Sequence, residues 1–291
     1  MTNLPTAQAP IGVIGLGLFG AALAERLIAG GYKTFVWNRS REKADALIAA
    51  GAKWSENPLA DCDVVVISLY TTEVVEEVLS QMKSGLRPGQ ILIDTTTGDP
   101  SQTTALGSRL AEQGVRYLEA PVAASSEQTR RGEALAMIAG DEDAFAACRE
   151  IIECLAPKTF YLGAWGAATK MKLVNNLVLG LNRIALAEGL VFAKAIGMDP
   201  ARALSVLQEG NAYSVVMDVK GQKMLDGDFA PQGKLSQHLK DVRLILEEAH
   251  RAGIELPLSQ THRKLLLSAE EAGFGDQDNS AIIRAIESAK G

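Results

Sequence analysis

The sequence predicts an α/β domain followed by an all-helical domain. Three observations carry this. Short β-branched runs alternate with helical patterns through the first half, a glycine-rich turn joins the first strand to the first helix, and a long proline-free helical stretch opens the second half. A chain of 291 residues suits two domains, and an apolar fraction of 47% is ample for two cores.

In chain order, Ile11-Gly12-Val13-Ile14-Gly15 reads as a buried strand, and Phe19 to Ala29 as an apolar helix. Thr34 to Trp37 is the next strand, followed by a polar helix from about Arg41 to Ala50. Strands at Asp63–Leu69 and Gln90–Asp94 flank a helical segment from Glu73 to Met82. Further strands are read at Arg116–Glu119, Leu135–Ala139 and Thr159–Leu162. Nearly continuous apolar runs separated by helices predict a parallel sheet covered on both faces. Beyond Gly163 the pattern becomes helical: one long stretch from Thr169 to about Ile196, then shorter ones at Pro200–Gln208, Val215–Leu225, Ser236–Ala252, Leu258–Ala272 and Asn279–Ala289. The domain boundary is placed at 164/165, just ahead of the long helix.

Gly15-Leu16-Gly17-Leu18-Phe19-Gly20 matches G-x-G-x-x-G with a strand before it and a helix after it. The first glycine permits a tight turn, the second lets the backbone approach a pyrophosphate, and the third lets the helix pack on the strand. The helix N-terminus supplies free N–H groups and partial positive charge to the phosphates. The first domain therefore reads as a Rossmann-type dinucleotide-binding domain. The next strand ends in Trp37-Asn38-Arg39-Ser40, about 20 residues on, where an NAD site usually carries an acidic residue for the ribose 2′-hydroxyl. That carboxylate is absent. Arg39 can bind a 2′-phosphate bidentately, Ser40 adds a hydroxyl and Lys43 follows, so NADP(H) is expected over NAD(H).

On the long helix, Lys172 and Asn176 are four apart and share a face, with Lys170 about 200° away from Lys172. A lysine there could donate a proton to a carbonyl oxygen that receives hydride, oriented by the asparagine. The same spacing also fits a solvent-facing lysine beside asparagines packed between helices.

Charge and composition exclude several classes. Lys and Arg number 29 against 35 Asp and Glu, a net charge of −6, which argues against nucleic acid or an anionic membrane as partner. An aromatic content of 5% argues against a surface built on stacked rings. Cys62, Cys148 and Cys154 form no Cys-x-x-Cys pair, so neither a disulfide framework nor a zinc site is expected. His238, His250 and His262 are regularly spaced, but on one helix their rings would diverge, and exposed helix histidines are expected rather than metal ligands. The apolar run Ile11–Ala24 lacks a basic flank, the first basic residue being Arg26, and is short and glycine-rich for a membrane span. A cytoplasmic location is the default expectation.

Several motifs together resemble the β-hydroxyacid dehydrogenase family, especially its glyoxylate/succinic semialdehyde reductase branch. They are Gly15-Leu-Gly-Leu-Phe-Gly20, Asp94-Thr-Thr-Thr-Gly-Asp-Pro100, Ala120-Pro-Val122, Lys172 with Asn176, Lys240-Asp241 and Asp278-Asn-Ser-Ala281, in this order over nearly the whole chain. The resemblance implies that Lys172 is the general acid and Asn176 its hydrogen-bonding partner. It places Lys240 near the nicotinamide and substrate, Thr97 beside the reacting ring, and Leu69 and Tyr70 along the cofactor. It also implies homodimers or homotetramers in which the helical domains pack together.

Three departures from the family pattern stand out. Phe19 replaces a methionine, Asp94-Thr95-Thr96-Thr97 replaces Asp-x-Ser-Thr, and the substrate loop reads Ala123-Ala124-Ser125 where Ser-Gly-Gly or a Gly-Ser ending is usual. Ala124 adds a Cβ where backbone N–H groups would meet a substrate carboxylate, and Ala123 removes a hydroxyl. The expected activity is NADPH-dependent reduction of a small carbonyl compound, such as glyoxylate, succinic semialdehyde or a related aldehyde acid. The alternatives are oxidation of a 3-hydroxy acid, reduction of an imine or non-acid ketone, and a non-catalytic NADP-binding sensor. Related imine reductases generally lack the lysine, which argues against that variant.

Overall fold

A computed structural model describes residues 9–288. Among the described residues nine strands run β1 (Ile11–Ile14), β2 (Thr34–Trp37), β3 (Lys53–Trp54), β4 (Val64–Ile67), β5 (Ile91–Asp94), β6 (Arg116–Glu119), β7 (Val122–Ala123), β8 (Leu135–Gly140) and β9 (Lys158–Tyr161). Their order in the sheet is β3-β2-β1-β4-β5-β6-β8-β7, with β9 beside β8. From β3 to β6 every pairing is parallel. The parallel expectation fails at β8, which runs antiparallel to both β6 and β7, and holds again where β9 pairs parallel with β8. β7 continues the direction of β6 after Ala120-Pro121, and the chain turns back between Ala123 and Leu135, through the helix at Ser126–Arg130, to return as β8.

The interleaving helices are α1 (Leu18–Ala29), α2 (Asp45–Ala49), α3 (Pro58–Asp61), α4 (Thr72–Gln81), α5 (Pro100–Glu112), α6 (Ser126–Arg130), α7 (Glu142–Ala147) and α8 (Arg149–Leu155). Side chains alternate across the sheet. Val13, Val64, Val66, Ile91 and Ile93 enter one core, while Ile14, Val65, Ile67 and Leu92 enter the core on the other face. Both faces are covered, which is why the central strands are apolar without interruption. α5 went unread in the sequence although it is well signalled: Asp99 caps it by accepting from the Ser101 and Gln102 amides, and Pro100 opens it. Its low apolar content left the periodicity weak.

The second half holds α9 (Ala167–Ala195), α10 (Pro200–Glu209), α11 (Gln222–Asp226), α12 (Leu235–Arg251), α13 (Pro257–Ala269) and α14 (Ile283–Ser288). Two π-helical turns, Met217–Gly221 and Glu270–Phe274, break stretches that the sequence reads as single helices. The last expected helix begins as a 3-10 turn, Asn279–Ile282, and its expected end at Ala289 lies outside the described residues. Leu186, Leu190, Leu239, Val242, Leu266 and Ile282 are among the residues of this unit's core.

The chain divides into compact units between Lys172 and Leu173, inside α9, whereas the sequence places the boundary at 164/165. The first turn and a half of α9 is hydrogen-bonded to β6 and to Val122, so it belongs with the sheet.

Candidate active site

In the first unit the parallel strands deliver their C-terminal ends to one edge of the sheet. The glycine turn follows β1, Asn38-Arg39-Ser40 follows β2, Leu69-Tyr70 lies just beyond β4, Thr95–Thr97 follows β5, and Ala120–Ser125 follows β6. Ligands of open α/β sheets bind at this edge, where the strand order reverses, here between β1 and β4.

The glycine turn is shaped as its motif requires. Gly15 has φ +96° and packs against the Ser68 carbonyl, where a Cβ would overlap backbone. A Cβ on Gly20 would overlap the Gly15 carbonyl, so α1 can start this close to β1 only with glycine there. Gly17, the N-cap of α1, faces open space, with nothing within 4 Å of an added Cβ. The first N–H groups of α1, those of Leu18, Phe19 and Gly20, lie beyond reach of an intrahelical acceptor, the ladder starting with Ala21 on the Gly17 carbonyl. That concave backbone suits a pyrophosphate.

Asn38 stands where an acidic residue would select the ribose hydroxyls. Its Oδ1 accepts from the Leu16 amide at 2.9 Å and its Nδ2 donates to the Ser40 carbonyl at 3.0 Å. It thus ties the end of β2 to the phosphate loop. Arg39 is exposed and, among the described residues, makes a long contact, 3.7 Å, with Glu77 of α4. Such a solvent-exposed pair is weak and leaves the guanidinium available to an anion.

The loops after β4 and β5 brace each other. The Leu69 amide donates to Thr96 Oγ1 at 3.2 Å, and Thr95 Oγ1 donates to the Ile67 carbonyl at 2.8 Å. Asp94 is buried, accepting from the Thr96 amide and from the Tyr117 hydroxyl at 2.8 Å. Burial raises its carboxyl above the ordinary range even against those hydrogen bonds, and it pushes the Tyr117 phenol well up. This pair scaffolds the loop that carries Thr97, which is half-buried, while Tyr70 is exposed.

Lys172 is 9% exposed and donates to the Val122 carbonyl at 2.8 Å. Lys170, by contrast, is exposed, as their angular separation on the helix requires. The altered substrate loop is ordinary in conformation: no non-glycine residue among those described has positive φ, so Ala124 is unstrained. Ala124 packs against the core of the sheet, and Ser125 caps α6 in a capping box with Gln128. In the cap Ser125 Oγ is an acceptor, and a hydroxyl in that role can still donate its proton.

In the second unit, Asn176 Nδ2 donates to Asp241 Oδ2 at 2.8 Å, and Asn175 Nδ2 donates to Asn176 Oδ1 at 3.1 Å. Lys240 Nζ lies 3.0 Å from Asp241 Oδ1, an ion-pair contact that lacks hydrogen-bond alignment. Asp241, absent from the expected site residues, therefore links Asn176 to Lys240. The Lys240-Asp241 pair in the sequence was the available signal.

Asp278 is a buried hub. It accepts from Lys220 Nζ at 2.9 Å, from the Gln232 amide and from the Ser280 hydroxyl at 2.7 Å. Burial alone would raise its carboxyl, but Lys220 and these donors hold it below the usual range. Arg183 is 3% exposed, and its Nε and Nη1 have no hydrogen-bond partner among the described residues. Burial lowers its guanidinium to about 10, with Asp278 acting in opposition.

The exposed-histidine expectation is corrected for two of three. His250 is exposed, but His238 and His262 are buried, with ring centroids 5.1 Å apart, because they lie on different helices, α12 and α13. Gly180 of α9 makes room for them: a Cβ there would sit 2.5 Å from both rings.

Residues 10–163 match the family model of the NAD binding domain of 6-phosphogluconate dehydrogenase. Residues 166–286 match that of the NAD-binding domain of NADP-dependent 3-hydroxyisobutyrate dehydrogenase. The chain belongs to the β-hydroxyacid dehydrogenase family. Members of this family are NAD(P)-dependent oxidoreductases, and this β-hydroxyacid dehydrogenase is of that class. It is 29% identical over 286 residues to glyoxylate/succinic semialdehyde reductase 2 of Arabidopsis thaliana, covering 96% of this chain and 80% of that one. It is 30% identical to L-threonate dehydrogenase of Cupriavidus necator, covering 94% and 95% respectively. Human cytokine-like nuclear factor N-PAC is also 30% identical, but the chain spans only 51% of its length. Among solved structures, 3-hydroxyisobutyrate dehydrogenase of Salmonella typhimurium superposes with a TM-score of 0.88 at 24% identity, over 95% of this chain and 99% of that one, which shows the shared fold.

Proposed function

We propose that this β-hydroxyacid dehydrogenase reduces the carbonyl group of a small aldehyde acid, of the glyoxylate or succinic semialdehyde kind, with NADPH preferred over NADH. The observation that carries the reading is the buried Lys172 ammonium, hydrogen-bonded to the carbonyl of Val122 just beyond β6. A buried lysine at the ligand-binding edge of a dinucleotide fold is placed to serve a substrate rather than solvent.

The residues present fit a dinucleotide. The glycine turn and the start of α1 would hold the pyrophosphate, Arg39 and Ser40 would meet a 2′-phosphate, and Leu69, Tyr70 and Thr97 would line the nicotinamide end. When bound, NADPH supplies the hydride. Lys172 Nζ donates a proton to the carbonyl oxygen as negative charge develops there, and in the reverse direction it accepts the proton of a hydroxy acid. By the family resemblance, Asn176, held by Asp241, would orient polar atoms near the reacting group, and Lys240 would contribute positive charge toward it or toward a substrate carboxylate. Ser125 and the backbone of Ala123-Ala124 would bind that carboxylate through fewer donors than the family's usual loop. The named activities of the plant reductase and the threonate dehydrogenase support a small hydroxy or aldehyde acid.

The test follows NADPH absorbance with glyoxylate, succinic semialdehyde and a cyclic imine. Lys172→Ala should lower kcat by about 10²–10⁴-fold with NADPH binding kept. Full turnover by that variant would sink the general-acid role. Tight NADPH binding with no oxidation across a broad carbonyl panel would favour a sensor.

A second copy of the chain is proposed to cover one face of α9. Val174, Val178 and Phe192 are exposed on that helix and fall within about 40° of one another around its axis, with exposed Ile196 just past its end. This stripe, opposite the buried face of Asn176 and Arg183, supports the expected homodimer or homotetramer. Phe192→Glu should lower the mass measured by light scattering, and an unchanged mass would exclude this face.

A further inference from the structure

We infer that Glu119 is a positioning residue: its buried carboxylate anchors the first turn of α9 and so fixes where Lys172 presents its ammonium. The inference rests on the general-acid reading of Lys172 and concerns only residues of the first compact unit.

Three successive anchors join the end of β6 to the start of α9. Trp165 Nε1 donates to the Tyr117 carbonyl at 3.0 Å. Glu119 then takes the helix start in both oxygens: Oε1 accepts from the Gly166 amide, and Oε2 accepts from the Thr169 amide at 3.0 Å and the Thr169 hydroxyl at 2.9 Å. Lys172 Nζ donates to the Val122 carbonyl at 2.8 Å. The chain order 117, 119, 122 on one side meets 165, 166–169, 172 on the other, so the two segments are laced together in step.

The first amides of a helix have no intrahelical acceptors, and they are usually satisfied by a local side chain or by water. Here a residue from a distant strand does this, at 1% exposure. Burying a carboxylate is costly, and the burial does raise the Glu119 carboxyl. A neutral local cap would serve helix stability more cheaply. What the distant carboxylate adds is register, because it references the helix to the end of β6, three residues before Val122. Lys172 lies three residues beyond Thr169, less than one turn, so a shift or rotation of the first turn passes directly to its Nζ. The helix entry is otherwise tightly packed: Gly166 has φ +90°, and Trp165 lies against Gly107 and Gly140, where added Cβ atoms would sit 2.6 Å from the indole.

The test compares Glu119→Gln, Thr169→Val, Thr169→Ser and Lys172→Ala, with glyoxylate and succinic semialdehyde as probes. Glu119→Gln keeps the size but turns an amide NH₂ toward donors. Its kcat should fall at least tenfold, since displacements on the order of 1 Å cost about 10²-fold, while the NADPH Kd and the substrate KM stay within about twofold. Thr169→Val should lose part of kcat and Thr169→Ser should restore it, a rescue that loss of folding would not show. Wild-type kcat in a folded Glu119→Gln that binds NADPH overturns the inference. Should that variant fail to fold, equal kcat in wild type and both Thr169 variants overturns it. Lys172→Ala separates the two readings. Full turnover there removes the general acid itself, whereas an inactive Lys172→Ala beside a fully active Glu119→Gln removes only the role of Glu119.

Discussion

Acid should destabilise the helical unit through one imidazole. His262 of α13 is 1% exposed, its ring 5.1 Å from His238 of α12, with Gly180 of α9 against both rings. Burial first, then the nearby Arg183 guanidinium, pushes its pKa down to about 4 from an ordinary 6.5. Because the folded value is depressed, the unfolded chain takes up the proton first as pH falls. Stability from this group is complete above pH 6.5 and drains away between 6.5 and about 4. At 1.36 kcal/mol for each pH unit between the two values, the full loss is about 3 kcal/mol, and about 2 kcal/mol has gone by pH 5. Urea denaturation of wild type and His262→Gln at intervals from pH 7.5 to 5 measures this. The wild type should lose about 2 kcal/mol more than the variant over that range, with unchanged m-values. Parallel curves for the two proteins would refute the reasoning, since they would mean that His262 is as readily protonated folded as unfolded.

Three further outcomes are expected. Gly180→Ala places a Cβ 2.5 Å from both buried imidazoles, and the overpacking, about 1–3 kcal/mol, should outweigh the ~1 kcal/mol gained in helix propensity, so thermal unfolding should move down. Arg183→Met replaces a buried guanidinium that has two nitrogens unpartnered among the described residues, and guanidinium-chloride unfolding should show unchanged or higher stability, by up to about 4 kcal/mol; a loss would reveal an anion bound there in solution. Arg39→Ala should raise the KM for NADPH about tenfold or more and leave that for NADH within about twofold, because only the former carries a 2′-phosphate; equal effects on both would assign Arg39 no part in cofactor choice.

Much of the candidate site was legible because its shape is local. Gly15, Gly17 and Gly20 act through their own backbone and the strand and helix on either side, all visible within a few residues. Asn38 announced the missing carboxylate by position, but not that its amide would tether Leu16. The structural meaning of Asp278-Asn-Ser-Ala281 was hidden, since the hub at Asp278 gathers Lys220 and the Gln232 amide from far along the chain. The histidines were misread for the same reason. Their regular spacing reads as if on one helix, although the sequence already separates Ser236–Ala252 from Leu258–Ala272, and only the packing of α12 on α13 brings His238 and His262 together.

The sequence by itself determined the alternation of the main strands and helices, the phosphate loop and the separation of Lys172 from Lys170 around the helix axis. Each depends on periodicity or on a residue's own conformational freedom, and these are short-range properties. Only the tertiary structure decided the antiparallel turn after β6, the anchoring of α9 by Glu119, and the link from Asn176 through Asp241 to Lys240. Those depend on which distant donor meets which acceptor, and a hydrogen bond between residues 119 and 169 leaves no trace in the spacing of either.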